Sequence, residues 1–216
     1  ERSRQPSVFS LIRKIFELFR SGDPYLGLYG AFGYDLVYQF EKIEAKHKRD
    51  PEQTDCHLFL PVELVVVDRQ KEEAYKIEYH IDTPDGMTES WWNTGDEFPL
   101  VSGKADGKIK CDHESGEFEK KVKQIKEGCR RGDFFEVVLS QTFSTGFAEQ
   151  PSNLFQRICE QNPSPYSFLI NMGQEQLVGA SPEMYVRIKE DRFETSPISG
   201  TVPVGNDPME TAERIK

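Results

Sequence analysis

Two short stretches hold the residue types best suited to chemistry: Ser181-Pro182-Glu183 and Pro197-Ile198-Ser199-Gly200-Thr201. Pro182 fixes the backbone ahead of Glu183, and strand-like runs flank it on both sides, so its carboxyl rides on a rigid support. Partial burial disfavours the charged form of a carboxyl and leaves it a proton to donate. A half-buried Glu183 acting as a general acid is therefore expected. The second stretch offers complementary equipment. Gly200 lets a ligand approach the main chain, and Thr201 adds a hydroxyl and an N–H that suit a carboxylate. An acid and an anion cradle on neighbouring strands would make a site.

Holding these groups takes a frame, and the hydrophobic pattern predicts one. Val8, Leu11, Ile12, Ile15, Phe16 and Phe19 recur with helical spacing, and Gly22 supplies a stop. Residues 26–37 set Gly27, Gly30 and Gly33 among large apolar residues, which predicts strands where another backbone comes close. A phosphate loop is the rival, but Gly-x-Gly-x-x-Gly spacing is missing and no helical pattern opens directly afterwards. Residues 58–70 and 73–81 read as an antiparallel hairpin. Residues 82–108 form a polar, linker-like stretch.

Farther along, Phe118, Val122, Ile125 and Cys129 mark a second helix, with Ser115 as N-cap and Gly132 past its end. Residues 134–143 (FFEVVLSQTF) have strand composition, and Ser152 is placed to cap a helix through Leu154, Phe155, Ile158 and Cys159. YSFLIN, QLVG, MYVRI and RFETS follow as short strands. Asp207 and Pro208 open a last helix whose stripe, Met209, Ala212 and Ile215, is cut short; with no initial Met, the chain reads as an internal piece of a longer polypeptide. The sum is an α+β class with mainly antiparallel sheets and flanking helices, residues 1–216 forming part of one domain whose C-terminal part is missing.

Composition narrows the function. With 216 residues, 37% of them hydrophobic, the chain can bury a core. A formal net charge of −10 argues against nucleic acid as partner, because no basic surface is available to release counterions. A small anionic substrate remains compatible, especially with a divalent cation. Cys56, Cys111, Cys129 and Cys159 lack ligand-like spacing, with Cys129 and Cys159 on apolar helix faces, so a reducing, cytoplasmic setting is expected. No apolar run approaches the ~18 residues of a membrane span. A soluble protein is expected.

Five ordered blocks carry a resemblance: GAFGYDLVYQFE (30–41), GDFFEVVLSQTF (132–143), NPSPYSF (162–168), GASPEMYVRI (179–188) and ETSPISGT (194–201). In order and spacing the chain resembles the chorismate-utilising enzymes, most of all anthranilate synthase component I in the form fused to its glutamine amidotransferase. The resemblance covers nearly the whole chain and is weakest over residues 83–107. It implies an anthranilate-synthase-type chorismate-binding fold. It also implies that Glu183 helps expel the C4 hydroxyl of chorismate, and that Ser199, Gly200 and Thr201 line the chorismate site.

Two positions discriminate within the family. Relatives that make aminodeoxychorismate carry a nucleophilic Lys where this chain has Ser199, and a serine hydroxyl without an adjacent base is not nucleophilic at neutral pH. Relatives that add water have a lysine where this chain has Glu136. Direct attack by ammonia is thus implied, giving anthranilate and pyruvate in tryptophan biosynthesis, or aminodeoxyisochorismate in secondary metabolism. The resemblance further implies that Asn162, Pro163, Ser164, Pro165, Tyr166 and Phe168 contact tryptophan as a feedback inhibitor. Ordinary turn chemistry accounts for that stretch equally well, and Ser167 departs from the common Met. The family's Mg²⁺ ligands, catalytic His and chorismate-gripping Tyr and Arg would fall after residue 216, so no metal ligand is expected here and the isolated chain should be inactive. His47, His57, His80 and His113 match no family catalytic position and read as surface or strand residues. Implied partners are chorismate, ammonia from an amidotransferase domain or subunit, and an oligomer of the full-length protein. A non-catalytic tryptophan-binding module is the alternative from a different class.

Overall fold

The structure, a computed structural model, describes residues 6–44, 48–87, 107–173, 175–198 and 200–215. Ser199, His47 and most of the 82–108 stretch lie outside the described residues. The chain divides into two compact units, Glu1–Asp96 and Glu97–Lys216.

In the first unit, helix α1 (Val8–Leu18) opens with the Ser10 hydroxyl accepting from the Ser7 N–H at 3.2 Å and ends at Phe19, short of the expected Gly22. Its apolar stripe is used locally. Ile15, Phe16 and Phe19 line one cleft with Leu26, Leu28 and Leu60, while the Phe9 ring meets Phe32 at 5.5 Å and Phe40 at 5.7 Å.

Strand β1 (Tyr29–Phe32) pairs antiparallel with β2 (Cys56–Phe59), Gly30 facing Leu58. A Cβ on Gly30 would sit 2.0 Å from the His57 carbonyl oxygen, so the predicted close approach is real at that glycine. A 3-10 helix, Tyr34–Gln39, does open after Gly33, contrary to expectation. Asp35 in its first turn opposes an anion there, against the phosphate-loop reading. Arg49 ties this turn down by pairing with both Asp35 and Asp55.

The predicted hairpin is β3 (Glu63–Asp68) on β4 (Glu73–Glu78), with Leu64 facing Ile77. Its first half is two strands rather than one, because Pro61 cannot donate to a ladder and separates β2 from β3. A small ribbon, β5 (Asp82–Thr83) with β6 (Gly86–Met87), follows.

In the second unit, β7 (Lys110–Cys111) leads into helix α2 (Glu117–Arg131). Gly116 at φ +81, not Ser115, takes the N-cap position, and Gly132 at φ +82 closes the helix as expected. Phe118, Val122 and Ile125 are half-buried, but Cys129 is exposed and the buried place falls to Gly128, covered by the Phe134 ring. Residues 134–143 are not the strand their composition predicts. Only β8 (Phe143–Ser144) pairs, with β7, because β propensity needs a partner and residues 134–142 have none among the described strands.

Helix α3 (Pro151–Gln161) starts at Pro151, whose fixed φ suits the first helical position, with Gln150 rather than Ser152 at the cap. It packs on the hairpin of β9 (Tyr166–Asn171) and β10 (Gln176–Ser181). A second hairpin joins β11 (Met184–Lys189) to β12 (Arg192–Ser196). Helix α4 (Pro208–Ile215) is capped by Asp207, which accepts from the N–H groups of Met209 and Glu210, both at 2.8 Å. Every described sheet is a two-stranded antiparallel ribbon, as the α+β reading requires. No helix among the described residues is long and apolar enough to cross a membrane.

Candidate functional site

Pairing in the β9–β10 hairpin ends at Tyr166 opposite Ser181. One step further the register would set Pro165 against Pro182. A hydroxyl reinforces this end of the ladder: Ser164 Oγ donates to the Ser181 carbonyl and accepts from the Tyr166 N–H at 3.3 Å, and the Ser164 carbonyl accepts from Ser167 Oγ at 3.2 Å.

Ser181 in turn clamps the acid's backbone, its Oγ donating to the Glu183 carbonyl at 3.1 Å and accepting from the Glu183 N–H at 3.3 Å. Met184, opposite Ser196, is one of two buried hydrophobic residues among those described, the other being Leu36 of the first unit. Alternation along the strand anchors Met184 inward and turns Glu183 outward. In the second hairpin the register would set Pro197 against Glu183, and the next donor, Ile198 N–H, reaches the Glu183 carboxylate at 3.3 Å.

The structure thus joins Ser-Pro-Glu to Ile198. Glu183 is exposed, not half-buried as expected, because the described residues place no second layer over this end of the hairpins. Gly200 and Thr201 are exposed, and the space a Gly200 side chain would take is open.

The NPSPYSF residues gather where α3 meets β9. Asn162 ends the helix, donating to the Ile158 carbonyl at 2.8 Å, and Pro163 and Pro165 are exposed. The Phe168 ring lies across Gly179, where a Cβ would come within 2.5 Å of it. Tyr166 is half-exposed beside Ser181.

One cluster escaped the sequence reading. His113 Nδ1 lies 2.6 Å from Asp112 Oδ1 and Nε2 lies 3.0 Å from Lys121 Nζ, so an imidazole that donates to the carboxylate and accepts from the ammonium satisfies both. With Thr142 N–H also donating, His113 holds the Asp112 carboxyl down at about 2. Gln141 adds a bond to Cys111 Sγ at 3.0 Å. This cluster ties β7 to β8 and α2. Its members are far apart in sequence or differ in type, so no spacing announces it. Among the described residues no group of three or more His, Cys, Asp or Glu could hold a metal ion.

Fold and turn define a class: an α+β scaffold that presents an exposed carboxylate hydrogen-bonded to Ile198 N–H. In fold the chain is similar to anthranilate synthase component I from Streptococcus pneumoniae, with a TM-score of 0.59 at 24% identity over 83% of this chain and 45% of that one. The chain belongs to the chorismate binding enzyme family, whose model matches residues 3–215. It is 45% identical over its whole length to an anthranilate synthase of Azospirillum brasilense, covering 30% of that protein. It is 34% identical to anthranilate synthase component 1 of Aquifex aeolicus over 81% of this chain and 38% of the relative. An aminodeoxychorismate synthase component 1 of Salmonella typhimurium is 29% identical over 85% of this chain and 40% of its own length. The chain thus spans about a third of the length of the curated relatives it matches.

Proposed function

We propose that the polypeptide carrying this chain converts chorismate and ammonia to anthranilate and pyruvate, with Glu183 as general acid. The observation that carries this reading is the 3.3 Å bond from Ile198 N–H to the Glu183 carboxylate, which fixes the acid against the segment that precedes Gly200 and Thr201 in sequence. As the C–N bond forms at C2, the C4–O bond breaks, and the proton from Glu183 leaves with the hydroxyl as water. Hydroxide is a poor leaving group, so this protonation raises the rate by about 10²–10⁴-fold. Gly200 and Thr201, with Ser199 beside them, would bind a substrate carboxylate through main-chain N–H groups and the Thr201 hydroxyl. Loss of the C2 proton with cleavage of the C3–O bond then makes the ring aromatic, and the departing enolpyruvyl group takes up a proton to become pyruvate.

A serine at 199 favours free ammonia as the nucleophile over a covalent lysine adduct. A fused glutamine amidotransferase as its source is supported by length: alignments of similar span cover 30% of the Azospirillum brasilense protein but 38% of the Aquifex aeolicus one, so the former is the longer protein. Mg²⁺ belongs to this reading only as a requirement of the complete polypeptide, since no described cluster fits it. Asn162, Pro163, Ser164, Pro165, Tyr166 and Phe168 are proposed as the tryptophan contacts.

Incubating the complete polypeptide with chorismate, ammonium and Mg²⁺ should yield anthranilate by fluorescence and mass. Accumulation of aminodeoxyisochorismate or aminodeoxychorismate without pyruvate would replace this reading.

A further inference from the structure

We infer that Ser164 is a positioning residue for the acid. This inference rests on the proposed role of Glu183 and adds the device that sets its place. The β9–β10 ladder ends at Tyr166 opposite Ser181, with Pro165 and Pro182 next in register. A half-buried hydroxyl adds to the sheet's hold on the start of the Ser-Pro-Glu turn: Ser164 Oγ donates to the Ser181 carbonyl, the last acceptor before Pro182.

That hydroxyl is fixed in direction. It accepts from the Tyr166 N–H at 3.3 Å, and the Ser164 carbonyl accepts from Ser167 Oγ at 3.2 Å, so its proton is committed to Ser181. Ser181 passes the constraint on: its own Oγ is bonded to both main-chain groups of Glu183. The Glu183 carboxylate then meets Ile198 N–H. The linkage runs Ser164, Ser181, Glu183, Ile198 with no gap. It crosses two hairpins that share no strand pairing among the described residues. A loose turn would let the carboxylate wander by the ångström or so that costs a proton donor its alignment.

The test uses the complete polypeptide, with kcat and KM for chorismate measured at saturating ammonium and Mg²⁺. Ser164→Ala and the milder Ser164→Cys should lower kcat about tenfold or more, the worth of one oriented hydrogen bond, with KM for chorismate within twofold. Ser164→Thr, which keeps the hydroxyl, should restore most of the rate. Glu183→Gln should abolish most activity, and Ser164→Ala added to it should cost nothing further, because the two act as one unit. If Glu183→Gln is crippled but Ser164→Ala and Ser164→Cys retain wild-type kcat, or lower it equally in the Glu183→Gln background, Ser164 does not position the acid. If Glu183→Gln itself keeps full activity, the acid assignment fails first.

Discussion

Glu183 shows how side-chain hydrogen bonds at strand ends can place a side chain. Ser164 Oγ joins the Ser181 carbonyl where the β9–β10 pairing ends, and the Glu183 carboxylate meets Ile198 N–H just past Pro197. The residue types of this site were legible: Ser-Pro-Glu and the glycine-threonine loop stand out as an acid and an anion cradle. Their connection was not, because the Ser164 hydroxyl is seventeen positions from its acceptor and its role appears only when the β9–β10 register is known. The Asp112–His113–Lys121 cluster was invisible for the same reason. It makes its own prediction. Because His113 and Thr142 depress the Asp112 carboxyl to about 2, against ~3.9 in an unfolded chain, its contribution is present above pH ~4 and is lost as pH falls towards 2. The melting temperature of the wild type should therefore fall more steeply than that of Asp112→Asn across that window, by a small and salt-sensitive margin since the group is exposed. Parallel acid profiles for the two proteins would show that the cluster contributes nothing.

At the scale of elements, periodicity found the helices and hairpins, while their edges followed local geometry that composition does not encode. Gly116 displaced Ser115 at one cap by adopting a left-handed φ, and Pro151 set another start ahead of Ser152. The largest departure, residues 134–142, has strand composition but no partner strand among the described residues, leaving Phe135 101% and Val138 88% exposed. Of the three glycines read as close-approach positions, Gly30 is the tightest and Gly27 has open space. Gly30→Val would force the β1–β2 pairing apart, since its Cβ meets the His57 carbonyl at 2.0 Å. The variant should lose about 1–3 kcal/mol of stability, read as a lower urea midpoint. An unchanged midpoint would mean that β1 and β2 are not paired as described.

At the scale of the whole molecule, the described ribbons and helices bury little. Leu36 and Met184 are the buried hydrophobics among the described residues, whereas Tyr185, Ile188 and Phe193 on the acid-bearing hairpin are 70% exposed or more. Such apolar surface needs cover. The chain spans about a third of the length of its curated relatives. The most direct measurement compares single-turnover rates of chorismate conversion by the complete wild-type polypeptide and Glu183→Gln, with chorismate binding measured in parallel. The account predicts a loss of at least about 10²-fold in rate with binding retained; a Glu183→Gln protein that turns chorismate over at the wild-type rate would contradict it.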